Sequence, residues 1–300
     1  MKRKISYMAI LLIAGFASCK EHGVSIDGND NLAEDTTYVS KTPEAPEPKN
    51  FLVEELSGVR CGNCPEAAAF MEDLNKQNQD RLKVVTIHVS HLARMITERE
   101  PKSIQNLAVP EGLRIVQRLF GEVGNMPCAS GDRWMLGNSG NRYLVDGANN
   151  WPTLISSMKA KSNTTPVNIK LESKYNTEKD QYDITTTVHY TKAVTGANTL
   201  SIYLTESKIK DAFIDADELI TYNHVLRKAI TAAEGKVILD SHPTKEPGLT
   251  YIYRTALKID ASDPAQKFWQ PENMKVLAFV SASAPPEDIH VYQVQEVNLK

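Results

Sequence analysis

The stretch CGNCPEAAAFMEDLN, residues 61–75, decides how the first part of this 300-residue chain folds. Two cysteines two residues apart are followed at once by Pro65, a residue that suits the first turn of a helix. The apolar residues after it recur at helical spacing, at Ala67, Phe70, Met71 and Leu74. The spacing predicts a helix over residues 65–75 that begins beside the second cysteine. A thiol at a helix N-terminus has a stabilised thiolate, so the cysteine pair is a candidate reactive site.

Strand and helix patterns alternate on both sides of this helix. The pattern predicts strands at 51–56 and 82–89, a helix at 111–123, two short strands around the turn at 137–140, and a helix capped by Asn150. These assignments rest on apolar period, β-branched runs and turn residues. The resulting order, βαβα, then a hairpin, then α, predicts an α/β domain over residues 50–163.

Beyond about Thr164 the period of the apolar residues changes to two. In residues 181–191 the apolar side chains Tyr182, Ile184, Val188 and Tyr190 share one face. Further strand candidates are 167–171, 199–205, 236–240, 250–259, 275–282 and 291–299, while 208–235 is irregular with a short helix or strand near 224–230. Many short strands without long helices predict an all-β, immunoglobulin-like sandwich over residues 164–300. The change of period also predicts separate cores, so that the first domain would fold alone.

Residues 1–19 have the features of a secretory signal. Positive charges at 2–4 precede an apolar run at 8–16 that is too short to span a bilayer. Small residues at 17–18 then lead into Cys19, and this resembles the lipobox of bacterial lipoproteins. We expect acylation of Cys19, with palmitate among the chains, and a membrane as partner through that lipid. The alternative is an ordinary signal peptide that leaves Cys19 as a spare thiol.

Residues 20–49 contain many acids and few large apolar side chains, and they end in a proline-rich run at 43–48. Such a segment cannot repay its ordering entropy, which predicts a flexible tether. The formal net charge of the whole chain is −3, and removal of the three positive charges of the signal makes the mature part −6. A mildly acidic chain without Lys/Arg clusters is not expected to bind nucleic acid.

Three interpretations of Cys61 and Cys64 compete. As a structural staple, a four-residue loop would contribute roughly 2 kcal/mol, less than a longer loop. A zinc site would need further ligands, and Cys128, His88 and His91 do not repeat the spacing of the pair, so we expect neither metal nor other cofactor. Redox exchange is the leading interpretation, with an inert disulfide as the alternative. We expect Cys128 to be a small buried hydrophobe, the alternative being a third redox partner.

The CxxC between a strand and a helix, in this order of elements, resembles the thioredoxin superfamily over residues 50–163. The resemblance implies that Cys61 attacks and the second cysteine resolves. It also implies a cis-proline at Pro127 that shapes the substrate groove and a buried acid at Glu55 that assists proton transfer. Two features depart from that superfamily: Arg60 stands where thioredoxins have tryptophan, and residues 91–110 look like an insertion.

The mature chain also resembles the family related to the twenty-eight-kilodalton outer-membrane protein. Residues 54–65 are similar to its N-terminal signature, and residues 204–206 and 223–227 to its C-terminal signatures. This resemblance implies an outer-membrane lipoprotein, on the periplasmic face or the cell surface, with a surface-binding or adhesion role. The alternative function is an envelope thiol-disulfide oxidoreductase.

A candidate ligand site lies in the second domain. Glu206, His224 and Arg227 belong to the C-terminal signatures and supply charged and imidazole groups. The alternative interpretation is a buried polar network or a solvated strand face.

Overall fold

Sheets dominate the computed structural model, which describes residues 34–138, 140–283 and 288–300. Those ranges contain the α-helices α1 (Cys64–Gln77), α2 (Pro110–Ile115) and α3 (Trp151–Lys161). A π-helical turn, Val116–Phe120, continues α2, and 3₁₀ turns lie at His91–Ala93, Ala148–Asn150 and Pro271–Asn273. No helix within the described ranges has both the length and the apolar character needed to cross a membrane.

The strands of the described ranges follow the predicted change from mixed to all-β structure. They are β1 (Glu34–Val39), β2 (Phe51–Ser57), β3 (Leu82–His88), β4 (Cys128–Gly131), β5 (Val145–Asp146), β6 (Val167–Asn176), β7 (Gln181–Tyr190), β8 (Val194–Thr195), β9 (Asn198–Glu206), β10 (Ile209–Asp211), β11 (Ile220–Tyr222), β12 (Val225–Ala229), β13 (Lys236–Ile238), β14 (Thr244–Lys245), β15 (Leu249–Leu257), β16 (Met274–Ala282) and β17 (Val291–Asn298).

A nine-stranded sheet joins the segments before and after Thr164. Its order is β17-β16-β9-β12-β3-β2-β4-β5, with β13 paired to β9. Strands β2 and β3 are parallel, and β4 runs antiparallel to β2. Across the junction, β12 is parallel to β3, with Val225 opposite Thr86. The sheet thus continues from the first segment into the second.

The two faces of this sheet bury different cores. All seven residues of β2 are buried, as expected of a strand covered on both faces. On one face Phe51, Val53, Met71, Trp151 and Met158 pack together with α1 and α3. On the other face Leu52, Leu56, Val85 and Ile87 pack with Tyr203, Leu277 and Phe279. The structure differs here from the expectation of two separate cores, while the domain boundary at 163/164 stays a prediction.

A four-stranded sheet, in the order β1-β15-β7-β6, covers the C-terminal part of the nine-stranded sheet. The period of two in β7 has the predicted result, because its four apolar side chains all enter the core between these sheets. That core contains Tyr182, Ile184, Val188 and Tyr190 from β7 and Leu200, Ile202, Val276 and Ala278 from β9 and β16. The architecture is mostly β with few helices and is consistent with a β-sandwich.

Residues 34–49 are not a flexible tether, contrary to the sequence-based expectation. Strand β1 pairs with β15 from Glu34 opposite Arg254 to Val39 opposite Leu249. Further along, the Lys49 ammonium lies 3.0 Å from the Asp132 carboxylate, and both side chains are buried. Backbone pairing and a buried ion pair need few apolar side chains, so composition could not reveal them.

Some sequence-based expectations lie outside the described residues. These are the signal at 1–19, the acylation of Cys19, residues 20–33 of the expected tether, and Ser139 of the turn. The hairpin around that turn is present, with Cys128 opposite Asp146. The helix predicted at 111–123 changes to a π-helical turn after Ile115.

The N-terminus of α3 lies where it was predicted, but it is not capped as expected. The Asn150 side chain makes no capping hydrogen bond and donates to the Asp146 carbonyl at 2.7 Å instead. Asn150 therefore stands at the predicted cap position, but its side chain does not cap the helix.

Candidate functional site

The two cysteines of the CxxC turn form a disulfide at the N-terminus of α1. Cys61 and Cys64 have Cα atoms 5.4 Å apart, and the backbone N–H of Cys64 donates to the Cys61 carbonyl at 2.9 Å. Pro65 occupies the first turn, as the sequence predicts. The two cysteines are 3% and 2% exposed, so the disulfide is nearly covered. The N-terminal dipole of α1 favours a thiolate at this position once the bond is reduced.

A groove runs along the N-terminal half of α1 beside Pro127. The Met126–Pro127 peptide bond is cis, as the thioredoxin resemblance implies. The groove has a volume of about 380 Å³ and is lined by Asn63, Glu66, Ala67, Phe70, Pro127 and residues 147–149. Asn63 of the CxxC turn and Pro127 thus lie on the same groove.

Glu55 lies behind the disulfide, inside the sheet. It is 1% exposed, it lies opposite Thr86 on β3, and its Oε1 atom has no hydrogen-bond partner among the described residues. Burial raises the pKa of Glu55 to about 8, the charge of Glu72 adds to the rise, and a hydrogen bond with Thr86 opposes it. The burial of this acid was expected, and its role stays a proposal.

A cavity of about 160 Å³, which we call the rear cavity, adjoins Glu55 and Cys64. It extends along α1 to Glu72 and along β11 to His224. The His224 Nε2 atom lies 2.7 Å from the Glu72 Oε1 atom, and these side chains are 23% and 36% exposed. The hydrogen bond from His224 is the main reason that the pKa of Glu72 is lowered. The rear cavity therefore has a buried acid at its inner end and a histidine–carboxylate hydrogen bond at the surface.

Two irregular segments cover the CxxC turn: residues 91–109 from the insertion and residues 212–219 between β10 and β11. Arg60, the departure from thioredoxins, holds the first segment by donating to Glu98 Oε2 and to the Met95 carbonyl, both at 2.8 Å. The second segment is held by the Ile214 N–H, which donates to the Val59 carbonyl at 3.0 Å.

Arg99 joins the two covering segments to each other. Its Nη2 atom lies 3.0 Å from Asp217 Oδ1 and 3.2 Å from the Ala216 carbonyl, and its Nη1 atom donates to the Ile214 carbonyl. The side chains under the segments form a small apolar cluster of Val59, Ile96, Leu107, Ile209, Ala212, Tyr222 and Val225. The two segments and this cluster therefore limit access to the disulfide.

The candidate ligand site Glu206, His224 and Arg227 does not assemble as one site. Glu206 and Arg227 form a buried ion pair, with Arg227 Nε 3.1 Å from Glu206 Oε2, and Arg227 Nη2 donates to Gln105 at 2.7 Å. The guanidinium also lies over the ring of Trp269. His224 faces α1 instead. For Glu206 and Arg227 the structure favours the alternative interpretation, a buried polar network.

Cys128 and His88 are buried next to the site without a place in it. The free thiol of Cys128 has its pKa raised to about 12 by burial, so it is a packed hydrophobe. His88 packs edge-on against Tyr222, and burial lowers its pKa to about 3. Within the described residues no three His, Cys, Asp or Glu side chains are grouped to hold a metal.

Sequence reasoning missed Glu72 as a site residue. It lies on the half-exposed side of α1 and resembles any solvated helical acid. Its partner His224 is 152 residues away, so no local spacing could connect them.

Comparison with known proteins identifies relatives by family and by fold. The model of the family described as outer membrane protein Omp28 matches residues 120–300. No curated protein matches the chain. HBP35 of Porphyromonas gingivalis is similar in structure, with 16% identity, a TM-score of 0.63, and coverage of 85% of this chain and 77% of that chain. A protein of Agrobacterium tumefaciens is similar with 14% identity, a TM-score of 0.51, and coverage of 85% and 97%. These identities show a likeness of fold alone.

Proposed function

Because the chain belongs to the Omp28 family of outer membrane proteins, we propose that it is an outer-membrane lipoprotein whose thioredoxin-like module exchanges disulfides through Cys61 and Cys64. One observation carries the redox part: Glu55 is buried beside a cavity that also reaches Cys64, and among the described residues its Oε1 atom has no hydrogen-bond partner. Burial of a carboxyl group away from bulk water costs free energy. A disulfide that served as a staple would not need that cost.

Several features of the first segment support the thioredoxin-like assignment. Strand β2, helix α1 and the parallel strand β3 form one unit, and β4 adds to the other edge of β2 in antiparallel sense. The cis-proline Pro127 immediately precedes β4 and lines the groove beside α1. The disulfide lies at the end of β2 and at the start of α1, where loops and helix N-termini of α/β folds place reactive groups.

The exchange follows from the positions of the three groups. In the reduced protein the Cys61 thiolate attacks a substrate disulfide, forms a mixed disulfide and releases one substrate thiolate. Cys64 then gives its proton to the Glu55 carboxylate and attacks the Cys61 sulfur, which releases the second substrate thiolate. The two protein thiols are oxidised and the substrate disulfide is reduced, and the reverse sequence oxidises a substrate dithiol.

Surface binding with an inert disulfide is the competing function, and the same assay separates the two. With dithiothreitol as reductant and insulin as disulfide substrate, we expect the wild-type chain to accelerate insulin reduction. Cys61→Ala and Cys64→Ala should each abolish the acceleration, because one removes the attacking and the other the resolving thiol. Cys128→Ala is the matched control and should retain it. Equal rates for the wild type and the Cys61→Ala variant would leave the binding function.

The anchoring part of the proposal rests on residues 1–19 and is tested by itself. We expect the wild-type chain to sediment with the outer membrane, since acyl chains supply the membrane affinity. Cys19→Ala should move the protein to the soluble fraction, whereas Cys128→Ala should leave its partition unchanged. A Cys19→Ala protein that stays with the membrane would contradict lipid anchoring.

A further inference from the structure

The rear cavity connects a buried acid to a histidine–glutamate pair at the surface, contributed by two distant parts of the chain. Glu55 and Cys64 lie at its inner end, where they are 1% and 2% exposed. Glu72 and His224 lie at its outer end, with their side chains partly in solvent and their charged atoms 2.7 Å apart. The cavity volume of about 160 Å³ is enough for several water molecules. Water in this cavity would find polar partners at both of its ends.

The backbone holds His224 in place through the same residue that contacts Glu55. The carbonyl of His224 accepts from the Thr86 N–H at 2.8 Å, and its own N–H donates to Ser207 Oγ at 3.0 Å. Thr86 lies opposite Glu55, and its side chain bonds the carboxyl group. His224 has a φ of 55°, a conformation in which histidine is among the more tolerated residues. A row across β2, β3 and the start of β12 therefore fixes the relative positions of Glu55 and His224.

Glu55 needs an outlet if it accepts the proton of Cys64. Its carboxyl group is shielded from solvent, so a proton received there needs a route to bulk water before the acid can accept another. We infer that Glu72 and His224 are the proton exit of the Cys64–Glu55 site, with water in the rear cavity passing the proton between Glu55 and the pair. This inference rests on the proposed disulfide exchange. His224, which lies after Thr164, would thus act in a reaction whose cysteines lie before Thr164.

The charged and titratable groups around the exit come from four elements. Glu55 faces it from β2, Glu72 and Lys76 from α1, and Lys275 acts on Glu72 from β16. From β11 the Tyr222 hydroxyl lines the same side but is occupied, because it donates to the Ala212 carbonyl at 2.7 Å. Both lysines favour the charged form of Glu72, which keeps a proton acceptor at the mouth.

The test follows the two halves of the exchange separately. In the full chain with Cys19→Ser and Cys128→Ala, the two remaining thiols are Cys61 and Cys64. Rapid mixing of this reduced protein with 5,5′-dithiobis(2-nitrobenzoic acid) should release one thionitrobenzoate when Cys61 attacks. A second should follow when Cys64 gives up its proton and resolves the mixed disulfide. The first phase does not need the exit, and the second does.

The variants remove each member of the pair while keeping the fold. His224→Gly suits the positive φ and leaves space for a small molecule, and Glu72→Gln keeps the shape of the acid. We expect each to slow the second phase roughly tenfold or more at neutral pH and to leave the first unchanged. Added imidazole should restore the second phase of His224→Gly, whereas sodium chloride of equal ionic strength should not. The matched control is His290→Asn, which breaks another histidine–carboxylate pair, with Asp288, outside the rear cavity.

The rates of the two phases separate the possible outcomes. A second phase that keeps its rate in both variants, or that slows without rescue by imidazole, overturns the proton exit and leaves Glu72–His224 as a tie between α1 and β12. Absence of both phases in the Cys19→Ser, Cys128→Ala protein with Glu72 and His224 intact overturns the disulfide exchange itself, and the exit with it. A slowed and rescued second phase establishes the exit.

Discussion

At the scale of single residues, burial shifts the pKa values of two ionisable side chains next to the CxxC turn. Glu55 and His88 lie on the adjacent strands β2 and β3 and are 1% and 2% exposed. Burial disfavours the charged form of each, so it raises the pKa of the acid and lowers that of the histidine. The stability of the protein should therefore fall on both sides of an intermediate pH.

His88 gives the clearest test of this at low pH. Its pKa is about 3 in the folded chain against an ordinary 6.5, so below pH 6.5 the unfolded chain binds a proton that the folded chain does not. The stability is fully present above pH 6.5 and is lost as the pH falls towards 3. His88→Phe keeps a ring against Tyr222 and removes this loss. Between pH 7 and pH 4.5 we expect the variant to lose roughly 2 kcal/mol less than the wild type in urea unfolding.

His91 provides the matched control for that experiment, because it is exposed at the end of the same strand region. His91→Gln should show the same pH dependence as the wild type. If the free energy of unfolding of His88→Phe fell in parallel with that of the wild type, burial of a neutral His88 would not be the cause.

At the scale of elements, the covering segments 91–109 and 212–219 decide how accessible the disulfide is. Arg99 joins them through contacts with Ala216 and Asp217. The second segment lies close to the CxxC turn, because a Cβ atom added at Gly62 would be 3.2 Å from the Asp215 carboxylate. We expect Arg99→Ala to loosen both segments and to raise the rate at which tris(2-carboxyethyl)phosphine reduces the Cys61–Cys64 disulfide several-fold. Thiol alkylation followed by mass spectrometry measures the rate.

Lys102→Ala is the control for the Arg99 experiment, since Lys102 lies in the same insertion and its partner there is Glu100, also exposed. It should leave the reduction rate unchanged. Equal rates in the wild type and Arg99→Ala would mean that access to the disulfide does not depend on the link between the segments.

Elements whose side chains carry the pattern could be predicted from the sequence. Strand β7 and helix α1 were predicted because their apolar residues alternate or recur at helical spacing, and β9, β15, β16 and β17 because they are rich in β-branched and other apolar residues. Strands β1, β10 and β11 were missed because they are edge or hairpin strands held by backbone pairing, which leaves little trace in composition. Residues 212–219 form no regular element, so the sequence did not predict that they cover the CxxC turn.

The site residues likewise fall into those that the sequence could indicate and those that it could not. Cys61, Cys64, Glu55 and Pro127 lie within one segment, and their spacing and the thioredoxin resemblance were enough to place them. The Glu72–His224 pair needs the parallel contact of β12 with β3, which no local pattern predicts. His224 was singled out from its signature and was grouped with Glu206 and Arg227. In the structure its side chain contacts Glu72 instead, because residues close in sequence can point to opposite sides of a strand.

At the scale of the whole molecule, buried polar contacts join the segments before and after Thr164 in addition to the apolar core. Arg133 makes two hydrogen bonds to Glu54, at 2.9 and 2.7 Å, and a third to the hydroxyl of Tyr203 on β9 at 3.0 Å. The guanidinium lies 4.8 Å from the centre of the Phe279 ring on β16. Lys49 and Asp132 add a second buried ion pair, and the Lys49 ammonium also donates to the Val291 carbonyl. Removal of one partner of such a pair costs about 3–5 kcal/mol.

These contacts predict how the chain responds to division near Thr164. A fragment of residues 50–163 would expose the face of β2 and β3 that packs against Tyr203, Leu277 and Phe279. It would also leave Arg133 without the Tyr203 hydroxyl and Asp132 without the Lys49 ammonium. We therefore expect the fragment to lack a cooperative thermal transition, although its local periodicity favours an independent fold. Circular dichroism during heating measures this directly.

Adding the complementary fragment tests the same expectation, because residues 164–300 supply the apolar face that the first fragment lacks. Residues 34–163 and 164–300, produced together as two chains, should associate and recover one cooperative transition close to that of residues 34–300. The pairing of β12 with β3 and the shared core give the two pieces a specific surface on which to join. A sharp transition in the 50–163 fragment alone, at the temperature of the intact chain, would show instead that the first core is sufficient. The sheet across the boundary would then be a contact between two independent domains.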